Sequence, residues 1–321
     1  MPSVSVVLPV FNRMQVVERA IESVLAQTLA DFELLVVDDG SSDGTGPLLA
    51  RIGDPRLRIL TLPSNGGACA ARNAGIEAAL SEIVCFLDSD DVYLPSKLEH
   101  VVARFAAAPE LDLLVDSFVS RKTLGHKRRV QAKRNPPGLT GRAFRAAVFE
   151  RRIAKATTAL SVRRRALLDV GLFDPTLRRR QDLDLVLRLS RKHVCESTDA
   201  ILWEKHESRD AISRDHGLFL QASIDICDRH PEYLELHAAS LHRDLRSHFV
   251  ALLKRGEGRA FCQDARRYAA YPRFAHSLLR LLLDGRLSRG AQVDSIQRTL
   301  ADSESPSRTA ETSCAPARVE K

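Results

Sequence analysis

No apolar stretch in the 321 residues reaches the roughly 18 residues that a membrane-spanning helix needs. The leucines between Leu278 and Leu283 belong to one short helical segment. Any membrane contact is therefore expected to be peripheral. The apolar run Val4 to Val10 is too short for a secretory leader and reads directly into a strand. Cysteine is scarce and scattered. Positions 69, 85, 195, 227, 262 and 314 offer no close pair with zinc-site or disulfide spacing. Cys85 sits in an apolar run and reads as a small core residue. This usage points to a reducing compartment. Aromatic residues make up 5% of the chain, and none interleaves with its basic run. The stacking platforms of single-strand nucleic-acid binders are not evident. Also absent are the dinucleotide-binding glycine fingerprint and the Gly-Lys-Ser/Thr ending of an ATPase loop.

What is present can bury a full core: the chain is 44% apolar, as soluble globular proteins are. Its length suits one large domain, alone or with a helical appendage. Lys and Arg number 48 against 41 Asp and Glu, a formal net charge of +7. The excess favours anionic partners, whether nucleotide, phospholipid head group or nucleic acid, without choosing among them.

Strands and helices alternate along the first half, the sequence form of stacked βαβ units. Val4 to Pro9 reads as a strand, followed by the loop Val10-Phe11-Asn12-Arg13. Val16, Val17, Ala20, Val24 and Leu25 then fall on one helical face. A second strand, Phe32 to Val37, ends in Asp38-Asp39-Gly40-Ser41-Ser42-Asp43-Gly44-Thr45. The glycines permit a tight turn, and Asp43 or Thr45 is placed to cap the next helix. Adjacent carboxylates at a strand end are either turn-formers or hydrogen-bond acceptors for a ligand. A short strand, Leu57 to Leu60, precedes Ser64-Asn65-Gly66-Gly67-Ala68-Cys69-Ala70-Ala71-Arg72-Asn73-Ala74-Gly75. The small residues let a helix approach the sheet, while Arg72 offers a planar donor fork for phosphate or carboxylate.

The chain is organised around Ile83-Val84-Cys85-Phe86-Leu87-Asp88-Ser89-Asp90-Asp91. An apolar run fit for a buried strand delivers three carboxylates within four residues. Their mutual repulsion calls for a nearby cation. On a strand Asp88 and Asp90 would share a face. Acidic groups past the carboxyl end of a central strand sit where open α/β sheets bind ligands. A hard divalent cation with phosphate oxygens in its other positions suits them. The plain alternative is a polar turn, with Asp91 near the next helix and Pro95 in that helix's first turn.

Asp112 to Phe118 is a further expected strand. The dense basic run Arg121 to Arg134 reads as a surface loop held open by charge, or as an anion-binding lid. Ala159 to Val162 is an expected strand, and Ala166 to Gly171 a helix with a glycine stop. Gln181 to Leu189 has helical periodicity with Leu185, Val186 and Leu189 inward. Asp182 then falls in the first turn, where the helix dipole favours a carboxylate without any chemistry. Trp203, His206 and Arg209 read as packing groups. Ser213 to Asp284 reads as three or four amphipathic helices, with Leu218, Ile226, Leu241, Leu245, Phe249 and Leu252 as core positions. Ala301 to Lys321 has few large apolar residues and is expected to be disordered.

From about Val4 to His206 the chain resembles the family 2 glycosyltransferases, which have the GT-A fold. Five pieces carry the resemblance: Pro9-Val10-Phe11-Asn12, Asp38-Asp39-Gly40-Ser41, Asn65-Gly66-Gly67 with Ala71-Arg72-Asn73-Ala74-Gly75, Asp88-Ser89-Asp90-Asp91, and Gly171-Leu172-Phe173-Asp174 leading to Gln181-Asp182-Leu183-Asp184. Each is weak alone; their order and spacing make the signal strong. The resemblance implies a Rossmann-like mixed sheet flanked by helices, with a helical C-terminal region. It implies inverting transfer of a sugar from a nucleotide-diphospho-sugar, expected to be a UDP-sugar, to an acceptor hydroxyl. By position it implies that Pro9, Asn12, Asp39, Arg72, Asp88, Ser89 and Asp90 bind the nucleotide-sugar. Pro9 and Asp39 line the base pocket, Arg72 lies in the nucleotide-side loop, and Asp88 lies near the ribose. Asp90 holds Mn2+ or Mg2+, and through it the diphosphate. Asp182 is the general base. The family usually shows Glu-Asp where this chain has Gln181-Asp182, which removes one charge beside the base and leaves the base in place.

Processive members of the family have membrane helices and a Gln-x-x-Arg-Trp motif, neither of which is found here. A single-sugar transferase is implied, acting on a glycan, glycolipid or protein hydroxyl in cell-surface polysaccharide or glycolipid synthesis. The expected location is the cytoplasm, with peripheral contact at the inner face of the membrane, and no nucleic-acid partner. The expected division is a GT-A domain over 1–210, a helical region over 211–300 and a disordered tail over 301–321. The alternatives are a catalytically silent domain of the same fold, favoured only by Gln181, and a basic nucleic-acid- or anion-binding protein.

Overall fold

The structure, a computed structural model, describes residues 1–124, 127–154, 156–206 and 218–270. Arg209 and the expected tail lie outside the described residues. The chain clusters into two compact units, Met1–Arg243 and Asp244–Lys321.

The first unit opens with β1 (Val4–Val10), α1 (Val17–Leu25), β2 (Phe32–Asp38), α2 (Thr45–Leu49), β3 (Leu57–Thr61), α3 (Gly67–Ala78) and β4 (Ile83–Phe86). β1 pairs in parallel with β2 and β4, and β2 with β3. β1, β2 and β4 are buried along their whole length, as near-continuous apolar strands of a parallel sheet must be. Pro9 is tolerated because β4 pairs only with Ser5 to Val7, so no ladder bond to β4 is lost. α3 lies close on β1 and β2: a Cβ on Gly75 would meet a Val7 methyl at 2.4 Å. Glycine at this position is what lets the helix come so near.

Then follow β5 (Val92–Tyr93), α4 (Lys97–Ala107), β6 (Leu113–Leu124), β7 (Lys127–Lys133), α5 (Gly141–Phe149), a 3-10 turn (Thr157–Ala159), β8 (Leu160–Arg163), α6 (Arg164–Asp169), α7 (Gln181–Lys192) and β9 (Cys195–His206). The sheet order is β3-β2-β1-β4-β8-β6-β9-β5, with β7 paired to β6. The sheet is mixed: β8 runs antiparallel to β4 and β6, whereas β9 is parallel to β6. The unit ends with α8 (Phe219–Arg229), α9 (Glu232–Glu235) and the start of α10 (Ala238–Lys254). In the second unit, Phe249 meets Phe261 and Tyr268 edge-on, the last two on α11 (Gly258–Ala270). Leu245 and Leu252 are buried there, as expected, whereas Leu218 in the first unit is only half-buried.

Two local expectations are corrected. The basic run is not an open loop: β6 and β7 form an antiparallel hairpin from Phe118↔Lys133 to Leu124↔Lys127. Arg121 donates to both carboxylate oxygens of Glu204 on β9, which offsets part of the repulsion that was to hold the loop open. Trp203 is a packing group, as expected, buried in a long strand and stacked on Phe118 with ring centroids 4.4 Å apart. Irregular register between β6 and β9 around Ser117 breaks the alternation that would have disclosed it. Pro95 precedes α4, whose N-cap is Ser96, instead of lying in its first turn.

One ion pair lies wholly inside. Lys97 of α4 donates to Asp116 of β6 and to the Thr158 carbonyl at 3.1 Å, and both charged side chains are 0% exposed. Burial raises Asp116 to about 6, against the downward pull of Lys97. Lys97→Met leaves a buried carboxylate without its cation and is expected to lower unfolding stability by about 3 to 5 kcal/mol in urea titrations. Lys97→Met with Asp116→Leu is expected to regain most of the loss. A double variant as unstable as the single would show that the hydrogen bond to Thr158 matters more than charge balance.

Candidate active site

The carboxyl ends of β1 and β2 are tied together by backbone geometry. Asn12 sits in the left-handed region at φ 52°. Its amide donates to Ser41 Oγ at 2.9 Å, and its Oδ1 accepts from the Ser42 amide at 2.8 Å. Asp43 Oδ1 accepts from the Thr45 amide at 3.0 Å, satisfying a donor at the start of α2. Asp39 is buried and accepts the Gly66 and Gly67 amides, one on each oxygen at 2.8 Å. The carboxylate thus anchors the entry of α3, where the free amides and the helix dipole favour negative charge. Gly40 at φ 74° packs under this loop; a Cβ there would come within 3.2 Å of the Ser64 and Asn65 backbone.

β4 ends at Phe86, so the acid triplet is arranged by a turn and not by strand alternation. The Asp91 amide closes it on the Asp88 carbonyl at 3.0 Å. Arg72 of α3 donates to Asp88 Oδ1 at 2.7 Å. Its guanidinium is buried, lies 5.4 Å from the centre of the Phe173 ring, and has Nε and Nη1 without hydrogen-bond partners. Phe173 is held in place by Asn73, whose side chain donates to the Phe173 carbonyl at 2.8 Å and accepts its amide at 3.0 Å. Two motifs a hundred residues apart in sequence are joined by these contacts. Ser89 is buried at the turn, and Asp90 is half-buried with its carbonyl accepting from Arg19 at 2.9 Å.

Asp91 is not near a helix start. It is buried, its Oδ2 accepting from Thr158 Oγ1 at 2.7 Å and its Oδ1 from the His206 amide at 3.2 Å. Thr158 also accepts the Asp88 amide at 3.2 Å. Burial and the charge of Asp88 raise the carboxyls of both Asp90 and Asp91 above the ordinary range. Such crowding suits a cation. Among the described residues no three His, Cys, Asp or Glu side chains are arranged to hold a metal unaided. A divalent ion would therefore take Asp90 and draw its remaining oxygens from a ligand, which fits hard-cation chemistry at a phosphate site.

Asp182 and Asp184 both lie in the first turn of α7, after Arg180 in the left-handed region at φ 62°. Their environments differ. Asp184 is buried, bonded to His230 Nε2 at 2.9 Å and to Arg188 Nε at 2.8 Å. Burial works against its charge, but His230 and Arg188 win and lower its carboxyl. Arg188 further donates to the Val170 and Leu172 carbonyls, which locks α7 to the chain ahead of Phe173. Asp182 is half-buried and, among the described residues, accepts only from the adjacent Leu183 amide, at 2.8 Å. Gln181 turns its Nε2 to the Leu177 carbonyl at 2.8 Å. A glutamate there has no proton to give that carbonyl.

Lys205 is the group that sequence reasoning missed. It is half-buried near the end of β9. Burial works to lower its ammonium, yet Asp91, Asp88, Asp90 and Asp182 together hold it above the usual lysine range. The acid turn and the α7 acid thus share one neighbourhood. Its only sequence signal is a lysine beside a lone tryptophan, in a stretch not recognised as a strand. Beside it, burial and the Arg19 charge lower the His206 imidazole, against the pull of Glu204.

A family model described as "Glycosyl transferase family 2" matches residues 5–170. The chain is 45% identical over 107 residues to the succinoglycan biosynthesis protein ExoO of Rhizobium meliloti, covering 33% of this chain and 31% of that protein. It is 42% identical over 96 residues to WfgD of Escherichia coli, a UDP-Glc:alpha-D-GlcNAc-diphosphoundecaprenol beta-1,3-glucosyltransferase, covering 30% and 38%. The matched segment thus spans about a third of the length of these relatives. S. aureus TarS 1-349 in complex with UDP-GlcNAc superposes with a TM-score of 0.61 at 18% identity, covering 85% of this chain and 82% of that one. At that identity the likeness establishes the fold.

The raised Asp90 carboxyl yields a prediction of opposite signs for stability and binding. A raised folded-state value means that the ionised native form is penalised relative to the unfolded chain. That penalty is absent below the ordinary carboxylate value and grows as pH rises through the raised one. Asp90→Asn is therefore expected to raise the cation-free melting temperature at about pH 8, with no gain near pH 3. The variant should lose any rise in melting temperature that Mn2+ gives the parent. Equal melting temperatures at the higher pH would show the charge to be already compensated.

Proposed function

The chain belongs to glycosyl transferase family 2, and on that premise we propose that it moves a single sugar from a UDP-sugar to an acceptor hydroxyl, with inversion at the anomeric carbon. One observation carries the reading: Arg72, bonded to Asp88 and lying over Phe173, joins the Asp88–Asp91 turn to the segment that leads into α7 and Asp182. An inverting displacement needs such a division, with cation-binding acids on the leaving-group side and a separate base for the acceptor. The paired carboxylates of glycoside hydrolysis, flanking one bond, are a different arrangement.

In this reading Pro9 and Asp39 line the nucleobase pocket. Each Asp39 oxygen holds one α3 amide and keeps a second lone pair, so an imide N–H can still be accepted. Asn12 shapes the loop beside it, since its own side chain is committed to Ser42. Asp88 and Ser89 would lie toward the ribose, and Arg72, whose Nε and Nη1 are buried without hydrogen-bond partners, would serve the nucleotide side. Asp90 would hold Mn2+ or Mg2+, which when bound supplies charge neutralisation at the diphosphate. Asp182 takes the acceptor proton as the acceptor oxygen forms its bond to C1. The bond from C1 to the diphosphate oxygen breaks, and its electron pair leaves with the nucleoside diphosphate.

The name of WfgD and the UDP and UDP-GlcNAc complexes of TarS support a uridine donor. The names of ExoO and of TuaG, a putative teichuronic acid biosynthesis glycosyltransferase of Bacillus subtilis, support a role in cell-surface polysaccharide or glycolipid synthesis. The acceptor is then a glycan, glycolipid or protein hydroxyl. No helix among the described residues is long and apolar enough to cross a membrane. Exposed Arg129 and Lys133 on the β6–β7 hairpin offer a peripheral contact to anionic lipid at the cytoplasmic face. Sedimentation with acidic-lipid vesicles tests that contact: the protein should pellet at low salt, and failure to pellet excludes it.

Thermal shift with UDP-, GDP- and dTDP-sugars, with and without Mn2+, tests the donor assignment. A metal-dependent rise is expected for a UDP-sugar and should be lost in Asp90→Ala. Asp182→Asn is expected to lower turnover by about a thousandfold, with donor affinity measured by calorimetry largely retained. A rise with none of the nucleotides would overturn the donor assignment. Strongly weakened donor binding in Asp182→Asn would overturn the division of roles.

A further inference from the structure

We infer that Lys205 is a second cationic arm for the donor, contacting the diphosphate and stabilising it as it leaves. The inference rests on the nucleotide-sugar assignment above and adds a residue outside every strand-end motif.

Strand register places it. β5 runs antiparallel to β9 with Tyr93↔Trp203 and Val92↔Glu204, and continuing that register by one step would set Lys205 opposite Asp91. The bond from the His206 amide to Asp91 Oδ1, 3.2 Å, holds the strand end there. Side chains alternate along β9. Trp203 faces inward and is fully buried, Glu204 is taken by Arg121, and Lys205 returns to the side of Trp203.

The surrounding charges are unusual. Asp88, Asp90, Asp91 and Asp182 all act on the ammonium, yet among the described residues none makes a direct ion pair with it. Lys97 and Arg121 are paired to Asp116 and Glu204, and Arg72 spends one nitrogen on Asp88, so Lys205 would add to the donors that Arg72 keeps. Among the described residues the Lys205 ammonium therefore keeps donors for an incoming anion.

An anionic diphosphate does not enter a cluster of carboxylates unaided. A divalent ion on Asp90 offsets part of the repulsion, and Lys205 supplies a mobile point charge from the opposite strand. When the bond from C1 to the diphosphate oxygen breaks, the leaving group gains one negative charge. An ammonium already within reach lowers the cost of that charge. The acceptor proton goes to Asp182, so Lys205 need neither gain nor lose a proton in the step.

The test uses the full chain with Lys205→Met and Lys205→Arg. Calorimetry with UDP and with uridine, both in Mn2+, separates diphosphate from base contacts. In Lys205→Met, UDP affinity is expected to fall about tenfold or more, while uridine affinity stays unchanged. Lys205→Arg should stay within about threefold of the parent, because the charge is kept. The turnover number should fall in Lys205→Met at saturating donor. Unchanged UDP affinity and turnover in Lys205→Met would overturn the inference and leave Lys205 a counter-ion for the carboxylates. A parent protein that binds none of UDP, GDP or dTDP would overturn the donor assignment itself, and this inference with it. Should Lys205→Met fail to fold, acetylation of Lys205 in the parent, followed by mass spectrometry, gives a second readout. Protection by UDP but not by uridine is expected, and its absence overturns the inference.

Discussion

Three carboxylates in one partly buried turn repel one another, and much of this unit's tertiary structure offsets that repulsion. Asp88 is met by Arg72, Asp91 by a threonine hydroxyl and a strand-end amide, and all of them by the more distant charge of Lys205. These partners come from α3, the 3-10 turn and β9, elements spread over more than a hundred residues. Each contact is local, but together they require the sheet to close as it does. Burial and the charge of Asp88 still raise the Asp90 carboxyl.

The support beneath the turn is itself charged. The Thr158 hydroxyl accepts from the Asp88 amide and donates to Asp91, while its carbonyl takes the buried ammonium of Lys97. Lys97 in turn is balanced by Asp116 on β6. A buried pair of this kind contributes little net stability but fixes relative position, because either charge alone would be costly. The acid turn therefore rests on a framework that resists sliding, as a site needing sub-ångström placement should.

A similar division operates on α7. Asp184 is spent on Arg188 and His230, which bind the helix to the preceding loop and to the residue that ends α8. Asp182, two positions earlier, has among the described residues only the Leu183 amide as a partner. Adjacent acids in one motif thus hold different offices, decided by burial and partners and not by residue type. The Gln181 amide is absorbed by the local backbone, so the departure from the family's Glu-Asp pair has a structural explanation that leaves Asp182 untouched.

The near-continuous apolar strands, the small residues of α3 and the acids at strand ends were legible from residue order alone, because period, propensity and turn chemistry are local properties. So were the inward face of α7 and the first-turn position of Asp182. The β6–β7 hairpin was not legible, since β6 is held by its long-range ladder to β9 and by Glu204, some eighty residues away. Nor was β9, whose alternation is broken by irregular register against β6. Which partners each acid has was decided only by packing: Asp91 and Asp184 look in sequence like Asp90 and Asp182, but burial gives them backbone or side-chain partners. Lys205 stands furthest from sequence reasoning. A lysine carries no motif, and its role depends on four carboxylates that only the folded sheet brings within range.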